Sequence, residues 1–137
     1  MHAIRLAFCL ALCLSAAAAQ AADLTVRVDD VKSAQGKIMV AVYDAANFLK
    51  RPVQSAQVAA AAGSVKLVIK DLPPGDYGVA LYHDANGNGK MDRNGMGIPL
   101  EDYAFSNNAL GSMGPPAFEQ VKFSVPADGA TSTISLR

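Results

Sequence analysis

Strict alternation of apolar and polar residues is the feature that most restricts how this chain can fold. Leu24, Val26 and Val28 are separated by polar residues, and the same period of two recurs along the chain. Residues two apart lie on the same face of a β-strand, so the pattern predicts strands with one face in a core. The other alternating segments are 65–69, 77–81, 121–125 and 134–136. An all-β domain is therefore predicted.

The turns between these segments predict how the strands connect. Residues 38–43 are apolar on both faces, which is typical of a central strand. The short segment 30–36 predicts that the first two strands form an antiparallel hairpin. Residues 72–76, with two prolines and Gly75, predict a second hairpin. Six or seven such strands predict an antiparallel β-sandwich of immunoglobulin-like type.

Two segments outside the alternating pattern have less definite predictions. Asp44 can cap a short helical turn that ends at Pro52. The alanine-rich stretch 56–62 fits a helix, an edge strand or a loop. Its structure is left open.

The beginning of the chain has the features of an export signal. Arg5 supplies a positive charge, residues 6–14 are uninterruptedly apolar, and residues 15–22 are rich in small side chains. The apolar stretch is too short to span a bilayer. A cleavable signal peptide and a periplasmic or secreted location are therefore predicted.

Cleavage sets the composition of the mature protein. Ala19 and Ala21 satisfy the A-x-A pattern, so we expect cleavage after Ala21, although a cut after Ala22 fits almost as well. Removing residues 1–21 from the 137-residue chain leaves 116 residues, a single domain 22–137 without cysteine. It holds 11 basic and 12 acidic residues, because one arginine leaves with the signal. This balance predicts no nucleic acid partner, and no later apolar stretch is long enough for membrane insertion.

The connection between the fourth and fifth predicted strands is long and rich in glycine. Residues 84–116 hold six of the chain's 11 glycines. Such a connection is unusual in a compact domain unless it is functional or disordered. Apolar residues within it, among them Met96, Ile98 and Met113, disfavour disorder. One folded, Gly-rich loop is therefore predicted.

This loop opens with DANGNGKMD, which resembles the calcium-binding loop of EF-hand and dockerin modules. Oxygen-bearing side chains fall at loop positions one, three, five and nine, and Gly89 at position six allows the sharp turn. Calcium takes about six to eight hard oxygen ligands, which a tightly wound loop can aim at one point. The predicted ligands are Asp84, Asn86, Asn88, Lys90 through its backbone carbonyl, and Asp92.

The calcium pattern is incomplete at loop position twelve. Gly95 stands there, where an EF-hand has a bidentate glutamate. Glu101 or Asp102 could supply the missing oxygens if the rest of the loop folds back over the ion. With two definite carboxylates, we expect a Kd of about 10⁻⁴ to 10⁻³ M. The alternative is that Asp, Asn and Gly cluster here as ordinary turn residues.

Patterns typical of enzymes are scarce. The chain has no Gly-x-Ser-x-Gly motif and no phosphate-binding glycine loop between strand and helix. His83 is the single histidine of the mature chain, which excludes a zinc or copper site made of several histidines. A non-enzymatic binding or structural module is predicted. The alternative is a small envelope hydrolase or lyase using His83 with Glu101 or Asp102, and a triad would need Ser106 as well.

Recognition is predicted to lie in the same long loop. Tyr103, Phe105, Asn107 and Asn108 are candidates for contact with an envelope or extracellular protein or a glycan, because loops on a rigid scaffold often carry binding residues. Alternatively, the aromatic residues close the end of the sandwich and the asparagines close turns. A third possibility is a metal-free structural subunit of an envelope assembly, which an exposed edge strand would favour.

Four blocks within residues 24–136 resemble a family of small secreted bacterial proteins classed as a domain of unknown function. They are GKIMVAVYDAANFLKRP, DLPPGDYGVALYHDANGNGKMD, GIPLEDYAFSNNALGSMGPPAF and the closing strand. That resemblance implies no activity. DLPPGDYGVALYHD also resembles part of transthyretin-like and carboxypeptidase regulatory-like domains, which implies a seven-stranded sandwich used for binding or structure. The long insertion after Asp84 departs from those domains.

Overall fold

The protein folds as a sandwich of two β-sheets. The computed structural model describes residues 21–137, so residues 1–20 of the predicted signal peptide lie outside the described part. The strands are β1 (Ala22–Val31), β2 (Lys37–Tyr43), β3 (Gln54–Ala59), β4 (Gly63–Leu72), β5 (Gly75–Asp84), β6 (Tyr103–Phe105), β7 (Phe123–Val125) and β8 (Ala130–Ser135). A 3₁₀ turn spans Ser106–Asn108, and a short helix, α1, spans Phe118–Val121. Within residues 21–137, neither helix has the length and apolar character needed to cross a membrane.

The strands divide unequally between the sheets. The three-stranded sheet has the order β4–β1–β8, and the five-stranded sheet has the order β3–β2–β5–β6, with β7 beside the first half of β5. β1 and β8 run parallel, whereas the other neighbours are antiparallel. The predicted all-β sandwich is confirmed. Residues 21–137 contain eight strands rather than six or seven, because the alanine-rich stretch forms edge strand β3 and the glycine-rich segment contains β6.

Both predicted hairpins are wrong. β1 pairs with β4 and β8, whereas β2 pairs with β3 and β5, so segment 32–36 crosses from one sheet to the other. The proline-containing turn at 73–74 likewise leads from β4 in one sheet to β5 in the other. Turn residues fix a reversal of direction, and the same reversal can join strands that hydrogen-bond or strands that pack face to face. The core needs the second arrangement here, because every one of these strands has an apolar inner face.

The core lies between the inner faces of the two sheets. Leu24, Val26 and Val28 of β1 are fully buried, and Ile38 and Val42 of β2 are buried with them. Burying each such side chain contributes about 1.5–3 kcal/mol. β2 has a neighbour on either side, which confirms the central position predicted for residues 38–43.

The glycine-rich segment is not one loop. β6 pairs with β5 and, with the 3₁₀ turn after it, divides the segment into connections 85–102 and 109–117. The backbone of Tyr103 also pairs with that of Arg137 in both directions. The sequence suggests no strand at β6, because Tyr103, Ala104 and Phe105 are apolar in succession and show no alternation.

Ser106 ties the 3₁₀ turn to the sandwich. Its side chain is fully buried, and its Oγ accepts a hydrogen bond from the N–H of Val79 at 2.9 Å and donates one to the carbonyl of Val121 at 2.5 Å. One hydroxyl therefore satisfies buried backbone groups of β5 and α1. Asn107 adds two hydrogen bonds to the backbone carbonyls of Gln120 and Lys122.

We expect Ser106→Ala to destabilise the protein by about 1–3 kcal/mol, because it leaves a buried N–H and a buried carbonyl without a partner. Ser112→Ala is the matched control, since Ser112 is exposed. Urea unfolding of both variants measures the effect. Equal stability of the two variants would show that water or backbone movement replaces the lost hydroxyl.

Gly36 lies where segment 32–36 meets the end of β5, and the fold needs a glycine there. Its φ is +67°, and an added Cβ would come 1.9 Å from the backbone oxygen of Asp84. Gly63 is the comparison, because its φ is +98° but an added Cβ would meet nothing within 4 Å. We expect Gly63→Ala to cost about 1 kcal/mol, from backbone conformation alone. Gly36→Ala should cost about 3 kcal/mol or more, because a backbone clash is added. Similar denaturation midpoints for the two variants would contradict this assignment.

Candidate functional site

Four side chains of the predicted calcium loop form one hydrogen-bonded cluster at the end of β5. Asp84 is 2% exposed, and its carboxylate accepts hydrogen bonds from the backbone N–H groups of Asn88 at 3.2 Å and Gly89 at 2.8 Å. The carboxylate of Asp92 accepts the side-chain amides of Asn86 at 2.5 Å and Asn88 at 2.7 Å. Loop positions one, three, five and nine therefore lie together.

Glu101 closes this cluster. Its carboxylate accepts the backbone N–H of Asp92 at 3.0 Å and that of Ala85 at 3.3 Å. Asp102 points elsewhere and pairs with the ammonium of Lys32 at 3.0 Å. Of the two residues considered for the missing ligand, the structure places Glu101 at the loop and Asp102 outside it.

The turns of the loop leave side-chain oxygens available. Gly89 has a φ of +78°, which supplies the sharp turn needed at position six. Asn86 Oδ1 accepts the N–H of Asn88 at 3.2 Å, and Asn88 Oδ1 accepts the N–H of Lys90 at 3.1 Å. A carbonyl oxygen has two lone pairs, so each of these oxygens keeps one lone pair for a further contact.

The donor set suits a hard cation. Asp84, Asp92 and Glu101 offer carboxylates, and Asn86 and Asn88 offer amide oxygens, which are the ligand types that calcium prefers. Among residues 21–137, no group of three or more His, Cys, Asp or Glu side chains is close enough to hold a metal. In this arrangement the two amides donate to Asp92, so binding an ion would require them to turn their oxygens inward.

The carboxylates of Asp92 and Glu101 affect each other's pKa. Hydrogen bonds from Asn88 and Asn86 lower the pKa of Asp92. Burial raises the pKa of Glu101, and the neighbouring Asp92 carboxylate raises it further, against the two backbone hydrogen bonds that lower it. The pKa of Tyr82 is also raised, first by burial and then by the charges of the loop carboxylates. A positive ion at this position would relieve the repulsion.

The residues between Asp92 and Glu101 form a small hairpin. The N–H of Leu100 bonds to the carbonyl of Asp92 at 2.8 Å, Arg93 bridges to Pro99, and the N–H of Asn94 bonds to the carbonyl of Ile98 at 2.9 Å. Asn94 Oδ1 also accepts the N–H groups of Met96 and Ile98 and so closes the tip. This hairpin, residues 92–100, is called the arm. Its two ends meet at the acidic cluster.

The outer faces of the two sheets differ in character. The outer face of the three-stranded sheet is mostly polar and solvated, as is usual for a sandwich. Its residues include Thr25, Arg27, Lys66, Lys70, Thr131 and Thr133. The outer face of the five-stranded sheet is largely apolar. Its residues include Met39, Ala41, Tyr43, Ala80, Tyr82, Tyr103 and Phe105.

That apolar face is the floor of a groove with a volume of about 1410 Å³. One wall is the arm with the preceding Met91, and the other is segment 109–116. All four methionines of the described chain line it. Exposed apolar side chains also concentrate there, since Met96 is 85% exposed and Met113 is 106% exposed. Exposed apolar side chains gathered in this way are typical of interaction surfaces.

The predicted recognition residues separate into two groups. Tyr103 is 41% exposed and lines the groove, and Phe105 is 9% exposed and packs edge-on against Tyr103 and Phe48. Asn107, with its φ of +61°, holds α1, and Asn108 Oδ1 accepts the N–H of Ser135 at 2.9 Å. Tyr103, Phe105 and Asn108 therefore line the groove, whereas Asn107 lies outside its lining, and the side chains of both asparagines also form hydrogen bonds within the fold.

Sequence reasoning missed the groove itself. Its signal was present in β2 and β5, where Met39, Tyr43 and Tyr82 are the large outward residues of strands whose inward residues are also apolar. Apolar character on both faces indicates that the outer face is covered or binds something. The methionines on the arm and on segment 109–116 gave no such signal, because nothing in the sequence places them over the sheet.

His83 lies on the inner side of the same sheet. It is 4% exposed, and its Nε2 lies 2.6 Å from the carbonyl oxygen of Gln35. Among the hydrogen bonds of residues 21–137, its ring contacts neither Asp102 nor Ser106, and Ser106 is occupied by backbone groups. His83, which the hydrolase alternative requires, is therefore buried rather than exposed to a substrate.

Comparison with known proteins identifies a family. No curated protein and no solved structure matches the chain significantly. The likeness to transthyretin-like domains stays a prediction. A family model described as an uncharacterized protein conserved in bacteria (DUF2141) matches residues 26–134, which is more than half of the 137 residues. The chain therefore belongs to the bacterial DUF2141 family.

Proposed function

We propose that this protein is a non-enzymatic, exported binding module whose groove is held in shape by a calcium ion. The observation that carries the proposal is the convergence of five oxygen-bearing side chains at the base of the arm. They are Asp84, Asn86, Asn88, Asp92 and Glu101. The backbone carbonyl of Lys90 is the sixth candidate ligand, as the loop pattern predicts.

The position of the cluster explains how an ion would act on the groove. Asp84 ends β5, Asp92 begins the arm, and Glu101 follows its last residue. An ion that drew these three carboxylates closer together and bound all of them would fasten both ends of the arm to the sheet. Met96 and Ile98 at the tip of the arm line the groove, so the ion would fix one of its walls.

Charge gives the ion a second role. Asp92 and Glu101 carry like charges at one point, and the raised pKa of Glu101 reflects that repulsion in addition to burial. Calcium would replace the repulsion by attraction. The Asp84 carboxylate, already aimed by two backbone hydrogen bonds, needs no reorganisation of its own turn.

Calcium binding is tested by calorimetric titration of the chelator-treated protein without its predicted signal peptide. We expect a Kd of about 10⁻⁴ to 10⁻³ M, and a gain in unfolding free energy of about 2.7 kcal/mol when free calcium reaches 100 times the Kd. Asp84→Asn should weaken binding at least about tenfold, because it removes a buried charge from the ligand set.

Asp128→Asn is the control for that variant, because Asp128 is exposed on the turn between β7 and β8. It should bind calcium as the unaltered protein does. No heat and no shift in melting temperature at millimolar calcium would overturn the calcium proposal. The cluster would then be a hydrogen-bonded turn, and the module would be metal-free.

The raised pKa of Glu101 gives two pH effects of known sign. Calcium binds the carboxylate, so its affinity should fall as the pH drops through the Glu101 pKa, which lies above the ordinary value of 4.5. Without calcium, the folded protein binds this proton more tightly than the unfolded chain does. Its stability should therefore decrease as the pH rises through the same range. The lowered pKa of Asp92 has the opposite effect, since stability should decrease as the pH falls below 3.8.

Glu101→Gln is the variant that isolates these effects. It should bind calcium more weakly and should lose the decrease of calcium-free stability as the pH rises above 4.5. Urea unfolding across this range, with and without calcium, gives both readings. An unchanged slope in Glu101→Gln would assign the pH dependence to another group.

A further inference from the structure

We infer that the groove binds a single-chain anionic amphiphile of the fatty-acid class, with its aliphatic chain on the sheet and its acid group at Arg93 and Arg137. This rests on the proposed function, since the arm that calcium would fasten forms one wall. The ligand class follows from three properties of the groove, which are its floor, its walls and its charge.

The floor favours an aliphatic chain over an extended peptide. β2 and β5 each have hydrogen-bonded strands along both sides, so their backbone groups are already paired. An extended peptide on this floor would bury N–H and carbonyl groups with few partners, and each unpaired group costs free energy. A hydrocarbon chain carries no such groups.

The walls suit a long and flexible ligand. Met91 and Met96 on the arm side and Met113 opposite have unbranched side chains that adapt to irregular apolar shapes. Small-molecule pockets usually measure about 300–1000 Å³. The volume of about 1410 Å³ therefore leaves room for an extended chain.

The positively charged side chains of the groove favour an acidic ligand. Arg93 and Arg137 are the charged side chains that line it within residues 21–137, and its lining contains no Asp, Glu or Lys. Arg93 uses one N–H on the carbonyl of Gly97 at 3.0 Å, so other guanidinium donors remain for a carboxylate. The concave shape favours a monomeric molecule over the surface of a membrane.

The acidic cluster links this ligand to calcium. Tyr82 lies on the floor two residues before Asp84, so the negative field of the acidic cluster extends over this end of the floor. Without an ion, that negative field opposes an anion in the groove. Calcium would reduce the field and fix the arm, so it should strengthen binding of the amphiphile.

The test uses decanoate below its micelle-forming concentration, with decyltrimethylammonium as the cationic analogue of equal chain length. Calorimetry measures binding, and tyrosine fluorescence reports the groove, because three of the chain's four tyrosines line it and the chain has no tryptophan. We expect saturable one-to-one binding of decanoate and at least about fivefold weaker binding of the cation. Replacing both arginines by glutamine should remove most of that preference.

Two variants test the site without disturbing the core. Met96→Asp and Met113→Asp each replace a highly exposed side chain, one on the arm and the other on segment 109–116. Combined in one protein, the two substitutions should weaken decanoate binding at least about tenfold. Val68→Asp is the matched control, because Val68 is 48% exposed on the other sheet. Thermal unfolding checks that all three variants fold.

The outcomes separate the two proposals. Calcium binding without decanoate binding, or decanoate binding that Met96→Asp and Met113→Asp leave unchanged, overturns the inference and leaves the calcium proposal standing. Decanoate binding in a protein that binds no calcium supports the groove and overturns the calcium proposal. Association with anionic phospholipid vesicles without binding of monomeric decanoate overturns the inference in favour of a membrane surface.

Discussion

The structure depends on a sheet that is apolar on both faces. In β5, Val79 and Leu81 face the core, while Ala80 and Tyr82 between them face outward. The inner face is covered by the three-stranded sheet, and the hydrophobic effect makes that packing the main source of stability. In the described part of the chain, no second sheet covers the outer face. The irregular connections 85–102 and 109–117 partly cover it, and the groove is the part that they leave open.

This constraint explains why so much of the chain is committed to irregular structure. If the outer face were polar and solvated, short turns would be enough to connect the strands. The few residues between β7 and β8 are a turn of that kind. Here the connections must cross an apolar surface and still satisfy their own backbone groups, because buried backbone groups rarely remain unpaired. Asn94, Ser106 and Asn107 do this with side-chain hydrogen bonds to the backbone. Asn and Ser side chains in residues 84–116 therefore support the backbone, and they are not only candidates for recognition.

The sequence predicts this protein well where the pattern is local and poorly where topology decides. Alternation in β1, β4 and β5 predicts the strands, and the spacing from Asp84 to Asp92 predicts which side chains gather at the end of β5. The sheet to which each strand belongs does not follow from its own pattern, because a strand in either sheet presents the same apolar inner face. The position of Glu101 at the loop depends on the arm folding back, which spacing alone does not determine.

The acidic cluster and one wall of the groove are connected through the arm. The arm is short, and its hairpin contains a single β-bridge with a few backbone hydrogen bonds, so its own stability is small. Its orientation must come from its base, where Asp92 and Glu101 repel each other unless a proton or a cation lies between them. Under the proposed function, one wall of the groove is anchored at a point whose energy an ion would change. Such an anchor would make binding in the groove depend on calcium and acidity, which a base of neutral side chains would not do.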